Sequence, residues 1–431
     1  METFARLESE VRSYCRSWPA VFDQARGSWL VSEAGDRYLD LFAGAGALNY
    51  GHNPPAVMDA LRDHLAGDGI VHSLDMATPA KRTFLERFHE LILAPRGMDH
   101  KVMFPGPTGT NAVEAALKIA RKATGREIVV SFTNAFHGMT LGSLAVSGDE
   151  MKRQGAQVPL GHTHRLPYAG YLGDGTETLD LFERQLEDAG SGVGLPAAVI
   201  VETVQGEGGL RHASAAWLRR LAELCQRHDI VLIVDDIQAG CGRTGTFFSF
   251  EPAGIVPDVV TLSKSLSGGG LPFAVTLIRP ELDVWQPGEH NGTFRGFNPA
   301  FVTATAALEA FWADDTFARE VQRKAGRLEQ LLQEVVEAVP GARAEVVGRG
   351  LMIGLSCEVP GLAARAAEEA FARGVLLETS GAEDQVVKLL PPLSISDEDL
   401  DTGVRTIREA LEAALTALPE ARDAEHDLVS A

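Results

Sequence analysis

The amino-acid sequence predicts an α/β fold: a largely parallel sheet covered by helices on both faces in a large domain, joined to a smaller α+β domain. Three observations predict it. Short apolar runs alternate with helical segments from about residue 79 to residue 278, which is how strands buried on both faces of a parallel sheet read. The chain has 431 residues, 45% of them hydrophobic, enough for a large core and more than one domain at that length. From about residue 343 the regular strand–helix alternation gives way to closely spaced strands and helices.

The elements follow in order. Residues 3–17 read as a short helix. Trp29 to Val31 and Arg37 to Phe42 read as two strands joined by a turn at Ala34-Gly35-Asp36. The stretch from Gly44 to Asn53 is too glycine-rich for regular structure and predicts a close-packed loop. Pro54 and Pro55 then open a helix to about Leu65. A helix from Lys81 to Leu93 precedes a strand from Lys101 to Phe104, and PGPTGTNAVEAALKIARKATG is a glycine turn feeding a helix. Further strands are Ile128 to Phe132, Ala197 to Glu202, Ile230 to Asp235, Val259 to Ser263 and Phe273 to Ile278, with a helix from Trp217 to His228. A long helical region runs from Pro299 towards Val339. The tail adds AEVVGRGLMIGLS, a helix to Arg373, a strand at Gly374 to Glu378, VVKLLPPLSI, and a last helix over 397–417 before a frayed acidic end. The domain boundaries expected are 1–58 for an N-terminal segment packing with the small domain, 59–315 for the large domain and 316–431 for the small one.

Composition narrows the function. The 39 Lys and Arg against 59 Asp and Glu give a net charge of −20, a field that repels nucleic acid and anionic membrane surfaces. The four cysteines, Cys15, Cys225, Cys241 and Cys357, form no CxxC pair, so neither a disulfide framework nor a bound metal is expected. The first residues, METFARLESEVRSYC, lack an apolar signal core, and no run of eighteen apolar residues follows, so a cytoplasmic protein is expected. Only eight residues are Lys, which makes a lysine in an apolar context conspicuous.

Five segments carry candidate chemistry. In IVLIVDDIQAGCGRTG an apolar strand ends in Asp235 and Asp236, and the run VVTLSKSL ends in Lys264 before three glycines. Residues just past strand carboxyl ends line the ligand crevice of an open α/β sheet, so Asp235 and Lys264 can share one site. A lysine that attaches to an aldehyde and an acid that keeps a ring nitrogen protonated are what an aldehyde cofactor needs; a surface lysine and a capping aspartate are the alternatives. Gly109 and Thr110 stand at a helix start that exposes amides to a phosphate, or merely caps the helix. Phe136 and His137 follow a strand at a glycine bend, where Phe136 stacks on a flat ring or packs in the core. Glu202 and Glu207 in VETVQGEGG lie past a strand end, at a substrate mouth or in solvent. Thr293, in HNGTFRGFNP, is a further phosphate ligand candidate.

Together these motifs resemble the class III, omega-type aminotransferases. The likeness runs from GDRYLDLFAGAGALNYGHN to VVKLLPPLSI and is most specific in VDDIQAGCGRTGTFFSFE and PDVVTLSKSLSGGGLP. It implies fold-type I architecture with a seven-stranded, mostly parallel sheet, and pyridoxal 5'-phosphate as cofactor. It implies Lys264 as the attachment and proton-shuttling residue, Asp235 on the ring nitrogen, and Gly109 and Thr110 on the phosphate, joined by Thr293 from a partner subunit. Phe136 would stack on the ring and Gln238 would bond its hydroxyl. Glu207 matches the family's gating glutamate. The arginine it pairs with in the family is replaced here by Lys388, which lacks the planar bidentate fork. The likeness further implies amino transfer between L-glutamate/2-oxoglutarate and L-aspartate 4-semialdehyde/L-2,4-diaminobutyrate, opening ectoine synthesis, with ornithine, 4-aminobutyrate or siderophore-pathway diaminobutyrate chemistry as the alternative. A homodimer or hexamer, and help from potassium, belong to the same expectation.

Overall fold

The computed structural model describes residues 1–173 and 177–429. Its central sheet has seven strands in the order Lys101–Met103, Val275–Ile278, Val259–Leu262, Val231–Asp235, Ala198–Val201, Val129–Phe132 and Thr163–Leu166. The last five run parallel to one another, and Val275–Ile278 runs against both its neighbours. The sheet is therefore mostly parallel, as the sequence predicts.

Every residue of the five inner strands is buried, because helices cover both faces. The pleat sorts their side chains. Val199, Val201, Leu232 and Val234 enter one core with Phe84, Phe88, Trp217 and Phe301, while Ala198, Ile200, Val231 and Ile233 face Val113, Leu117 and Ile119 of the helix Gly109–Thr124. Alternate residues pointing to opposite faces is the period of a strand, and apolar residues at both phases explain why these runs are continuously hydrophobic.

A second core gathers Leu328, Leu332, Leu355, Leu389 and Leu411 with Leu39 and Leu41 from the N-terminal segment. Strand Arg37–Asp40 adds in parallel to Val375–Leu376. Beside it lies an antiparallel sheet in the order Ala344–Arg349, Met352–Cys357, Val386–Leu389, Glu378–Ser380. Buried Arg243 ties the two cores together: it donates to Asn49 Oδ1 and to the carbonyls of Leu351 and Pro391. A guanidinium reaches such dispersed acceptors from two of its nitrogens as no lysine can.

Several elements differ from expectation. The helix expected over 3–17 is two short pieces, Glu2–Leu7 and Tyr14–Ser17, neither of which buries a residue. The helix expected to run to Val339 is two, Asn298–Phe311 and Thr316–Ala338; the break falls at Trp312, whose indole N–H donates to Tyr50 Oη at 2.8 Å, and Asp314 Oδ1 restarts the chain by accepting from the Thr316 amide at 2.8 Å. The strand expected at 374–378 divides into Val375–Leu376 and Glu378–Ser380, which serve different sheets. The last helix spans Asp397–Val429, beyond the expected end at 417, because the tail is rich in Ala, Leu, Glu and Arg, all strong helix formers. Strands Phe22–Arg26 and Thr163–Leu166 have no counterpart in the sequence reading.

Candidate active site

A cavity of about 200 Å³ opens at the carboxyl ends of the sheet strands, lined by Gly109, Thr110, Phe136, His137, Gly138, Glu202, Glu207, Asp235, Gln238 and Lys264, with Val204, Ile237 and Ala239. A larger groove of about 710 Å³ lies around the amino ends of the same strands, at Val231, Leu232 and Asp258. The smaller cavity brings Lys264 together with His137, Glu202, Glu207 and Asp235, and carboxyl-end crevices are where open α/β sheets bind ligands.

Asp235 closes strand Val231–Asp235. Its Oδ2 meets His137 Nδ1 at 2.7 Å, and its Oδ1 accepts from Thr261 Oγ1 at 3.1 Å and the Ile237 amide at 3.2 Å. The carboxylate is thus fixed in direction. Burial alone would lower the His137 pKa, but the hydrogen bond and charge of Asp235 outweigh it and raise the imidazole above its ordinary value. Asp236, next in sequence and on the other side of the chain, accepts from the amide and hydroxyl of Ser249, and burial pushes its carboxyl up to about 7. It supports the loop and does not line the cavity.

Lys264 follows strand Val259–Leu262 with φ +50°, a left-handed conformation that a lysine adopts only under constraint. Its Nζ donates to the Ala45 carbonyl at 2.8 Å. Burial holds its amine down at about 8. Gln238 Nε2 donates to the same carbonyl at 3.0 Å. That acceptor is aimed by an unusual turn: Ala43, Gly44, Ala45 and Gly46 all have positive φ, from 47° to 81°, and Asp40 Oδ1 anchors the turn by accepting from the amides of Phe42 and Ala43. The glycine-rich loop expected from Gly44 onwards is this acceptor-presenting turn.

Gly109 and Thr110 begin the 16-residue helix Gly109–Thr124, so its unpaired amides face the cavity. Thr110 Oγ1 lies 2.6 Å from Thr140 Oγ1 and 2.9 Å from Ser143 Oγ. Gly138, at φ +126°, approaches so closely that a Cβ there would stand 2.5 Å from Thr110 Oγ1. Phe136 forms one wall, with Lys152 Nζ 4.8 Å from its ring centre, and its amide donates to Glu202 Oε2 at 2.9 Å. Burial raises Glu202 to about 7.

Glu207 and Lys388 meet at 3.0 Å. The lysine charge, opposed by burial, lowers the Glu207 carboxyl to about 2. Burial would depress Lys388, but two carboxylates outweigh it and raise its pKa. The second carboxylate is Glu378, whose Oε1 lies 2.9 Å from Lys388 Nζ and whose Oε2 accepts from Tyr14 Oη at 3.4 Å; sequence reasoning missed both Glu378 and Tyr14.

Of the site residues expected, the structure gathers Lys264, Asp235, Gly109, Thr110, Phe136, Gln238 and Glu207 around one cavity, with Lys388 behind Glu207. Thr293 stands apart. It is exposed at the start of the turn Thr293–Gly296, its carbonyl accepts from His72 Nε2 at 2.7 Å, and it does not line this cavity.

The aminotransferase class-III family model matches residues 13–411. Over 413 residues the chain is 57% identical to the diaminobutyrate–2-oxoglutarate transaminase of Halalkalibacterium halodurans, covering 96% of each. Over 408 residues it is 60% identical to the enzyme of that name from Streptomyces anulatus, covering 94% of this chain and 96% of the relative. Among solved structures, an ornithine aminotransferase of Toxoplasma gondii with pyridoxal phosphate at partial occupancy in its active site superposes with a TM-score of 0.82 at 25% identity, over 96% of this chain and 93% of that one.

Proposed function

The chain belongs to the class III aminotransferases, and from that membership and the geometry of its cavity we propose that it moves an amino group between L-glutamate and L-aspartate 4-semialdehyde, making 2-oxoglutarate and L-2,4-diaminobutyrate. The single observation that carries the chemistry is Lys264, an amine held near pKa 8 in a buried cavity that also contains a fixed carboxylate. The substrate pair rests on the relatives named above and on the charged cluster at Lys388.

The residues fit pyridoxal 5'-phosphate. His137 Nε2 is buried without a hydrogen-bond partner, and Gly109, Thr110 and Gly138 line the cavity at the helix start. When bound, the cofactor supplies an aldehyde for amine exchange and a ring that accepts the electron pair released at the substrate carbon. Lys264 Nζ is the group that attaches to it, and the same nitrogen takes and returns the transferred proton, for which a pKa near working pH is best. Asp235, oriented by His137 and Thr261, holds a proton on the ring nitrogen. The amides of Gly109 and Thr110 would take the phosphate, Phe136 would stack on the ring, and Gln238 would bond its hydroxyl. Glu207 and Lys388 receive the far end of the substrate: Lys388 attracts a carboxylate once Glu207 turns aside.

The proposal extends to a place at the opening of ectoine synthesis in the cytoplasm, to a homo-oligomer in which Thr293 serves the neighbouring subunit's phosphate site, and to potassium as an activating ion. Among the described residues no helix is long and apolar enough to cross a membrane. The test is an assay of the holoenzyme with diaminobutyrate and 2-oxoglutarate, identifying glutamate as product, run beside ornithine and 4-aminobutyrate in sodium and in potassium buffers. Turnover of ornithine or 4-aminobutyrate well above that of diaminobutyrate would overturn the substrate assignment.

A further inference from the structure

Among the described residues the Lys264 amine makes one hydrogen bond, to the Ala45 carbonyl at 2.8 Å. The charged groups around it, Glu207, Lys388, Glu378 and Asp235, act on it through space. That carbonyl is presented by strained backbone. Ala43 and Ala45 hold φ of +47° and +55°, where the Cβ of an L-residue crowds the chain, and such strain persists only where its surroundings over-determine it. Asp40 does so from one side. Its Oδ1 accepts from the Phe42 amide at 2.9 Å and the Ala43 amide at 2.7 Å, and its Oδ2 meets His52 Nε2 at 2.7 Å. Ser265 closes the other side, its Oγ donating to the Gly46 carbonyl at 2.7 Å. Lys264 and Ser265, successive in the chain, thus bond the successive carbonyls of Ala45 and Gly46.

We infer that Asp40 is a positioning residue for Lys264: by holding this left-handed turn it keeps the Ala45 carbonyl where it takes one N–H of the lysine amine whenever that amine is not attached to the cofactor. A neutral amine has two N–H bonds and one lone pair. With one N–H fixed on the carbonyl, the lone pair is confined to the two remaining directions, so the amine meets a carbon in the cavity without searching a full rotation about its last bond. The kind of acceptor matters as well. A carboxylate in that place would pair with the ammonium form and hold the proton on it. A carbonyl accepts from either form and takes no proton itself, so the amine stays tethered while it gains and loses one. Gln238 Nε2 donates to the same oxygen at 3.0 Å, and the two lone pairs of the carbonyl serve both donors.

This inference rests on the proposed cofactor chemistry, and the experiment separates the two. Full-length apoprotein of wild type, D40A and D40N is mixed with pyridoxal phosphate over a pH series, and covalent attachment is followed by near-visible absorbance. A hydrogen bond from an ammonium is stronger than one from a neutral amine, so the carbonyl favours the protonated form. Displacing it in D40A should lower the pH midpoint of attachment, which in wild type reports an amine at about 8, by about one unit. D40N keeps an oxygen for both amides while removing the charge, and should stay at the wild-type midpoint. In the holoenzyme with glutamate, D40A should lower kcat about tenfold with KM nearly held. S265A, which frees the Gly46 carbonyl of the same turn, carries the comparison if D40A yields no folded protein. An unchanged midpoint in the variant that folds makes the turn a structural anchor alone, and an equal shift in D40A and D40N makes the Asp40 charge the cause; either result overturns the inference and leaves the reaction standing. Wild-type protein that attaches no cofactor overturns the assignment of Lys264 itself.

Discussion

Replacing Lys388 by Met removes the one cation between Glu207 and Glu378 and leaves two carboxylates without it in a cavity wall where Lys388 was 0% exposed. Breaking a buried ion pair from one side costs about 3 kcal/mol, because the abandoned charge remains desolvated. The defect has a signature in pH. In the wild type the lysine holds Glu207 down at about 2, below its ordinary 4.5, so that carboxylate's stabilising contribution is complete above 4.5 and is lost only as pH falls through about 2. It is therefore constant between pH 5 and pH 8. In K388M the Glu207 carboxyl rises above its ordinary value instead, and that of Glu378, which burial already raises in the wild type, rises further. Such groups destabilise most when forced to ionise, at pH 8, and the penalty fades as pH falls through their raised values towards that of the unfolded chain. Thermal midpoints of wild type and K388M, measured from pH 5 to pH 8, should diverge by several degrees at pH 8 and converge towards pH 5. The triple variant K388M/E207Q/E378Q should regain most of the loss at pH 8, since neutral side chains of the same shape carry no ionic penalty. A deficit that is independent of pH, or one the triple variant retains, would refute the charge argument and make Lys388 a packing residue.

Three other outcomes follow from the site. K264A should lose at least about a thousandfold in activity together with the near-visible absorbance of a covalently attached cofactor; retention of a borohydride-fixed adduct in that variant would contradict the assignment. G138A places a side chain 2.5 Å from Thr110 Oγ1 at φ +126°, and cofactor affinity measured by equilibrium titration should fall at least about tenfold, with strain of about 1–3 kcal/mol behind it. H137Q should weaken the cofactor by loosening Asp235. Because the folded imidazole pKa is raised above 6.5, its stabilisation is full below 6.5 and is lost as pH rises through the folded value; the difference in thermal midpoint between wild type and H137Q should therefore be larger at pH 6 than at pH 9.

The parts of this site that are legible in the sequence are those attached to regular elements. Asp235 and Lys264 each follow a buried apolar strand, so the rule for strand carboxyl ends places them together without any knowledge of loops. Gly109 and Thr110 are visible because they begin a strongly patterned helix. Glu378 was not legible as a site residue, since the sequence marks it only as the end of the strand expected from Gly374, and its partner is set by a register that only the fold specifies. Tyr14 was hidden for the opposite reason: its four-residue helix, Tyr14–Ser17, buries nothing, so no periodicity marks it, and its tie to Glu378 spans 364 positions. The Ala45 carbonyl has no side-chain signal at all. It matters because the backbone from Ala43 to Gly46 turns left-handed, and glycine content hinted at a tight loop without saying what it presents.

That division follows the two cores. The groups suited to bond chemistry, Lys264 and Asp235, stand at strand ends of the seven-stranded sheet, whose inner strands are wholly buried. The charged pair Lys388 and Glu378 lies across a strand pair of the small antiparallel sheet, and Glu207 meets Lys388 from its own turn. Arg243, which bonds Asn49 on one side and the Leu351 and Pro391 carbonyls on the other, sets the distance between these two sets. Its donors satisfy a backbone and an amide, with no acid hydrogen-bonded to it among the described residues, and burial lowers its pKa to about 9. A lysine at that position could not reach three dispersed acceptors. R243K should therefore leave Lys264 chemically competent while misplacing Lys388, raising KM for both substrates more than it lowers kcat. A fall in kcat with unchanged KM would mean that Arg243 supports the large sheet alone, and that the substrate end is positioned by the turn at Glu207 instead.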